Sequence, residues 1–189
     1  IPWDTSISPQ PISSQARVIP SQVAFTVKAF PCVQYSHPDS AALYIAAALF
    51  DHKVLHRKIR EQGGAYGAGA SYHSGLGYFD FHAYRDPHLV STLDAFDASM
   101  HLIAQGKFSS NDLEQAQLEL MQELDSPISP NQRALVAYGW EREGKTDAMR
   151  QAFRDHLLSL TPQEIQRAVT QHLLSQQDRS VVVSFGGQE

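Results

Sequence analysis

Two histidines four residues apart, His52 and His56, lie on a stretch of helical periodicity. Two imidazoles at that spacing share one helix face and can grip a zinc ion. The inverted zinc-peptidase motif, His-x-x-Glu-His, also needs a glutamate directly before its second histidine to activate water. Leu55 occupies that position, and no other His-x-x-Glu-His occurs in the chain. The pair therefore reads as two histidines on a partly exposed helix, with an independent metal-binding domain through His52 and His56 as the lesser alternative. Gly63, Gly64, Gly67 and Gly69 match neither G-x-G-x-x-G nor a Walker lysine pattern, and they follow a helix rather than a strand. Their role is conformational: ending the helix and allowing close backbone approach. Arg60 and Tyr66 bracket this break. A planar fork of donors and a phenolic hydroxyl could together hold a carbonyl oxygen or carboxylate. By residue chemistry alone, a structural salt bridge for Arg60 and packing for Tyr66 is the simpler reading. Cys32, directly after Pro31, reads as a small buried hydrophobe, and no local Ser-His-Asp or Cys-His signature appears.

These residues need elements to position them. Leu55 and Ile59 keep helical spacing with Leu49 and Phe50, so one helix runs from His37-Pro38-Asp39-Ser40 to Glu61 and ends at Gly63-Gly64. The period then changes to two. Tyr66, Ala68, Ala70 and Tyr72 share one strand face, Ser74 to Gly77 turns, and Tyr78 to Tyr84 returns. Phe79, Phe81 and Ala83 form the face that helices cover, leaving Tyr78, Asp80, His82 and Tyr84 on a polar, aromatic face suited to line a binding chamber. An earlier strand spans Gln22 to Phe30. Helices follow from Leu89, Ser110, Pro130, Met149 and Pro162, with Leu124, Leu135, Tyr138 and Leu158 among their apolar positions. Ser180 to Phe185 is a last strand. Segregated strands and helices give an α+β fold, a mostly antiparallel sheet with helices stacked on one face.

The chain has 189 residues, 42% hydrophobic and 19% charged, with a net charge of −5. That size supports one domain with a full core. The acidic balance argues against nucleic acid as a partner. The longest apolar stretch, Ala41 to Phe50, is too short to span a membrane. A single cysteine excludes an internal disulfide and suits a reducing compartment, the cytoplasm or an organellar matrix. Residues 1–20 are rich in Pro and Ser and read as a linker from an upstream domain, with 21–189 as a single α+β domain.

The run Leu55-His56-Arg57-Lys58-Ile59-Arg60-Glu61-Gln62-Gly63-Gly64-Ala65-Tyr66-Gly67, followed by Tyr84-Arg85-Asp86-Pro87, resembles the C-terminal part of pitrilysin/insulinase-type zinc metallopeptidases. The likeness is nearest to the presequence-protease branch and extends from about Val18 to Gly186. It implies homologous α+β domains paired into halves that close like a clamshell around a peptide. It implies further that zinc lies in an upstream catalytic domain of the same protein, with none in this chain, and that this chain alone is inactive. Arg60 and Tyr66 match a family Arg and Tyr that hold the backbone of a peptide substrate and help stabilise the tetrahedral intermediate. A scaffold protein of the same fold, without peptidase activity, is the alternative.

Overall fold

The computed structural model describes residues 13–187. Five strands form one sheet: β1 (Gln15–Val18), β2 (Ala24–Pro31), β3 (Gly67–His73), β4 (Tyr78–Asp86) and β5 (Val181–Gly186), in the order β1-β5-β2-β4-β3. All pairings are antiparallel except β1 with β5. Six α-helices accompany them: α1 (Ser40–Phe50), α2 (Leu89–Ala104), α3 (Ser110–Leu124), α4 (Arg133–Arg142), α5 (Asp147–Ser159) and α6 (Pro162–His172). The fold is α+β, as the segregation of strands and helices predicts.

Alternation in the strands decides where the core sits. Phe30, Phe79, Phe81 and Ala83 are buried under the helices. Phe50 of α1 meets Phe81 at 5.0 Å between ring centroids, and Phe96 of α2 meets Phe81 at 5.5 Å. Such aromatic pairs add to the burial of large apolar area. The opposite sheet face stays open. Its cross-strand rows place Phe185, Phe25, Tyr84 and Gly67 together, and beside them Val183, Val27, His82 and Gly69.

Three expectations change. Gln15–Val18, inside the stretch read as a linker, is a strand, because parallel pairing with β5 satisfies backbone groups that its polar sequence does not advertise; residues 1–12 lie outside the described residues. The helix beginning at Ser40 changes hydrogen-bond pattern at Asp51 and runs as a π-helix from Asp51 to Gln62, a form that seldom exceeds one turn. Leu135 and Tyr138 of α4 are 71% and 62% exposed, because α4 buries no residue, and Leu124 and Leu158 are also exposed, Leu158 lying on the outward side between the buried Leu157 and Leu160.

Capping follows the sequence closely. Ser109 with Asp112 and Thr161 with Glu164 form reciprocal capping boxes at the starts of α3 and α6. Asp39 precedes α1 without capping it; its carboxylate instead ties α1 to α6. His172 Nε2 donates to Oδ2 at 2.8 Å and Arg167 Nη2 to Oδ1 at 2.5 Å. Burial alone would raise the Asp39 pKa, but these donors outweigh it and hold the carboxyl below its ordinary value of 3.8. A carboxylate with a depressed folded-state pKa contributes stability above its unfolded value and loses it as pH falls through the folded one. Asp39→Asn should lower unfolding free energy at neutral pH by about 1–3 kcal/mol. Urea titrations should show that deficit shrinking below about pH 4; a pH-independent deficit would contradict the ionised strut.

Candidate functional site

Arg60 sits in the last turn of the π-helix, and Tyr66 immediately precedes β3. Gly64, at φ +78°, supplies the left-handed residue between them. Its N–H donates to Arg60 O at 3.0 Å, and the Ala65 N–H donates to Ile59 O at 3.1 Å. Ala65 is buried and anchors the turn, whereas Arg60 is exposed and Tyr66 is 63% exposed. Neither side chain takes its simplest role. Arg60 forms no salt bridge among the described residues, and its Nη1 donates to His56 Nε2 at 3.2 Å. Because guanidinium can only donate, that nitrogen must accept, which leaves the His56 proton on Nδ1, 3.3 Å from Glu61 Oε1. Tyr66 does not pack into the core. Its ring centroid lies 5.5 Å from that of Tyr84, and its N–H donates to Arg85 O at 3.3 Å. Arg60 and Tyr66 thus project from one short turn without a hydrogen bond to each other, two donors on an open surface.

His52 and His56 do not converge on a common centre. His52 Nε2 contacts Glu119 Oε2 at 2.6 Å, while His56 is engaged by Arg60 and Glu61. With Leu55 buried between them, and no group of three ligands including either histidine among the described residues, this pair does not fit a catalytic zinc. A different trio, His37, Asp39 and His172, brings its ligand atoms within 4.8 Å of one another. There Arg167 and His172 occupy both Asp39 oxygens, and the Asp39 N–H donates to His37 Nδ1 at 3.0 Å. A cation would have to displace a guanidinium and two hydrogen bonds, so the trio is a structural strut. Burial raises the Cys32 thiol to about 11, which leaves it protonated and inert at neutral pH.

A polar group missed in the sequence lies where β3 meets the π-helix. Asp51 Oδ1 accepts from the Ala70 N–H at 2.6 Å. Burial pushes the Asp51 carboxyl up to about 6, against the lowering effect of that hydrogen bond and of His82. Asp80 bridges His73 at 2.7 Å and His82 at 3.0 Å, and its bond to His82 raises the imidazole pKa despite burial. Tyr84 and Arg85 were likewise unassigned as site residues. Tyr84 stands opposite Gly67 on the edge strand, a pairing that appears only in the β3–β4 register.

Comparison with known proteins adds the family. Residues 2–120 match the family described as Peptidase M16 inactive domain. The chain is 38% identical over 168 residues to the mitochondrial presequence protease of Kluyveromyces lactis, covering 88% of this chain and 17% of that protein. It is 36% identical over 168 residues to the mitochondrial presequence protease of Saccharomyces cerevisiae, with the same coverage. The chain therefore spans 17% of the length of these relatives. Among solved structures, the peptidase M16 inactive domain from Pseudomonas fluorescens superposes with a TM-score of 0.76 at 18% identity, covering 94% of this chain and 43% of that one. A putative zinc protease from Bordetella pertussis gives 0.72 at 16% identity, covering 91% and 98%. At these identities the structural likeness shows the fold.

Two measurements check the site. After chelation and zinc reloading, the chain should retain far less than one zinc, unchanged by His52→Ala or His56→Ala; one tightly held equivalent lost in either variant would restore the metal reading. A raised folded-state carboxyl pKa favours the protonated form, so the contribution of Asp51 is complete below 3.8 and is lost as pH rises through about 6. Asp51→Asn retains an oxygen acceptor for Ala70. It should exceed the parent in stability by about 1–3 kcal/mol near pH 8, and the gain should vanish by about pH 4. A gain equal at both pH values would refute the assignment.

Proposed function

Because the chain belongs to the peptidase M16 inactive-domain family, we propose that it is the substrate-binding C-terminal domain of a zinc metallopeptidase that degrades unfolded peptides in an enclosed chamber. The carrying observation is the placement of Arg60 and Tyr66 as exposed donors on a rigid turn beside an open sheet face. Arg60 offers a fork of N–H donors, and Tyr66 offers one O–H. Donors held in place before the substrate arrives need no reorganisation when charge develops on a carbonyl oxygen, which is where such groups assist acyl chemistry most. In this reading the two side chains hold the peptide backbone near the scissile bond.

In this reading the zinc chemistry would belong to an upstream catalytic domain of the same protein, and His52 and His56, held apart by separate partners among the described residues, take no part in it. The relatives named as mitochondrial presequence proteases support peptides as the substrate class and an organellar matrix as the compartment. No helix among the described residues is long and apolar enough to cross a membrane.

In the full-length enzyme, Arg60→Ala and Tyr66→Phe should each lower kcat/KM for peptide by on the order of 10²-fold. Zinc content, read by elemental analysis, should stay at the parental value. Parental turnover in both variants would remove the assigned role and leave this domain as a scaffold.

A further inference from the structure

We propose that Tyr84 and Arg85 are positioning residues that hold the Tyr66 ring in its working orientation, with Gly67 as the seat on which Tyr84 lies. This inference rests on the role proposed for Tyr66. A largely exposed tyrosine next to a turn has several rotamers open to it, and a donor that wanders among them is of little use to a reaction. Tyr66 is held from three directions. Its N–H donates to Arg85 O at 3.3 Å, its ring meets the Tyr84 ring at 5.5 Å with a 55° tilt, and the Arg85 guanidinium stands 5.5 Å from its ring centre. Tilted aromatic pairs and a cation over a ring both restrict ring orientation.

Two local features exist for this arrangement. Among the described residues Arg85 is the one non-glycine residue with positive φ, at +50°. A bulky L-residue seldom takes that backbone, and such outliers gather where geometry serves function. Here it lets one residue offer its carbonyl to the Tyr66 N–H and its guanidinium to the Tyr66 ring. The second feature is Gly67, paired with Tyr84 in the β3–β4 register. A Cβ at position 67 would stand 2.3 Å from Tyr84 Cε1 and 2.6 Å from Cζ. The Tyr84 ring therefore lies directly across the glycine. Gly67 itself has no positive φ, so alanine fits the backbone and would displace only the ring.

That last point gives the decisive variant. In the full-length enzyme, Gly67→Ala and Tyr84→Ala should each lower kcat for peptide by about ten- to a hundredfold, the size of effect expected for a misplaced catalytic donor, with KM little changed. Tyr84→Phe keeps the ring and should restore parental kcat. Arg85→Gly keeps the left-handed backbone and its carbonyl but removes the cation. Its kcat should fall less than that of Tyr84→Ala, and a parental value would remove Arg85 from the proposal. Gly139→Ala on α4, where an added Cβ meets nothing within 4 Å, serves as the control and should leave kcat near parental. In a Tyr66→Ala background, Gly67→Ala and Tyr84→Ala should cause no further loss, because there is no ring left to position. Full additional losses in that background, or parental kcat in both variants while Tyr66→Ala is impaired, would overturn the positioning role alone. If Tyr66→Ala itself has parental kcat, the reading of Tyr66 falls and this inference falls with it. Melting temperatures of all variants, and the Tyr84→Phe rescue, separate displacement of the ring from unfolding.

Discussion

The site depends on one backbone conformation, the left-handed turn at Gly64. A helix delivers Arg60, a strand delivers the residues after Tyr66, and the two elements run in different directions. Only a residue free to take positive φ lets the Ala65 amide reach back to Ile59 while the chain turns to meet β4. The buried Ala65 pins the turn, and the exposed neighbours gain a rigid base from it. Without that turn, Arg60 and Tyr66 would be two unrelated surface residues.

Much of this was legible in the sequence, for identifiable reasons. The switch of hydrophobic period after Gly64 placed the helix, the hairpin and the buried face of Phe79, Phe81 and Ala83 correctly, because a half-buried strand cannot shift register without exposing its core face. Thr161-Pro162-Gln163-Glu164 announced its helix because Thr161 and Glu164 satisfy terminal N–H groups reciprocally and Pro162 removes one that would lack a partner. The strand Gln15–Val18 was illegible, since its pairing comes from β5, far away in the chain. The π-helix was illegible too: the apolar positions Val54, Leu55 and Ile59 suit an α-helix equally well, and only tertiary contact distinguishes the two. Tyr66, read as the first residue of its strand, instead lies just before it, since β3 begins at Gly67. Arg60 and Tyr66 were singled out by family resemblance, while their supports were not, because a glycine under an aromatic ring is visible only once the register is known.

The open sheet face divides into two zones of different character. Toward β5 and β2 it is apolar, with Phe185, Phe25, Val183 and Val27 in adjoining rows. Toward β4 and β3 it becomes polar and titratable, with Asp80 holding His73 and His82. Arg60 and Tyr66 lie at the β3 end of this gradient. A peptide spread across the wall would meet hydrophobic contact at one side and hydrogen-bonding groups at the other, a division common to sites that combine bulk affinity with precise orientation.

The carboxylate of Asp51 has a consequence for self-association. β3 is an edge strand, and an unpaired edge in a long, flat sheet is a template for strand addition and aggregation. The Ala70 amide points away from β4 and is already taken by Asp51, a charged group set against the rim of the sheet. An incoming strand would have to break that bond and leave a buried charge without its donor. The energetic burden of ionising a half-buried carboxylate thus acts as protection, closing the β3 edge to strand addition.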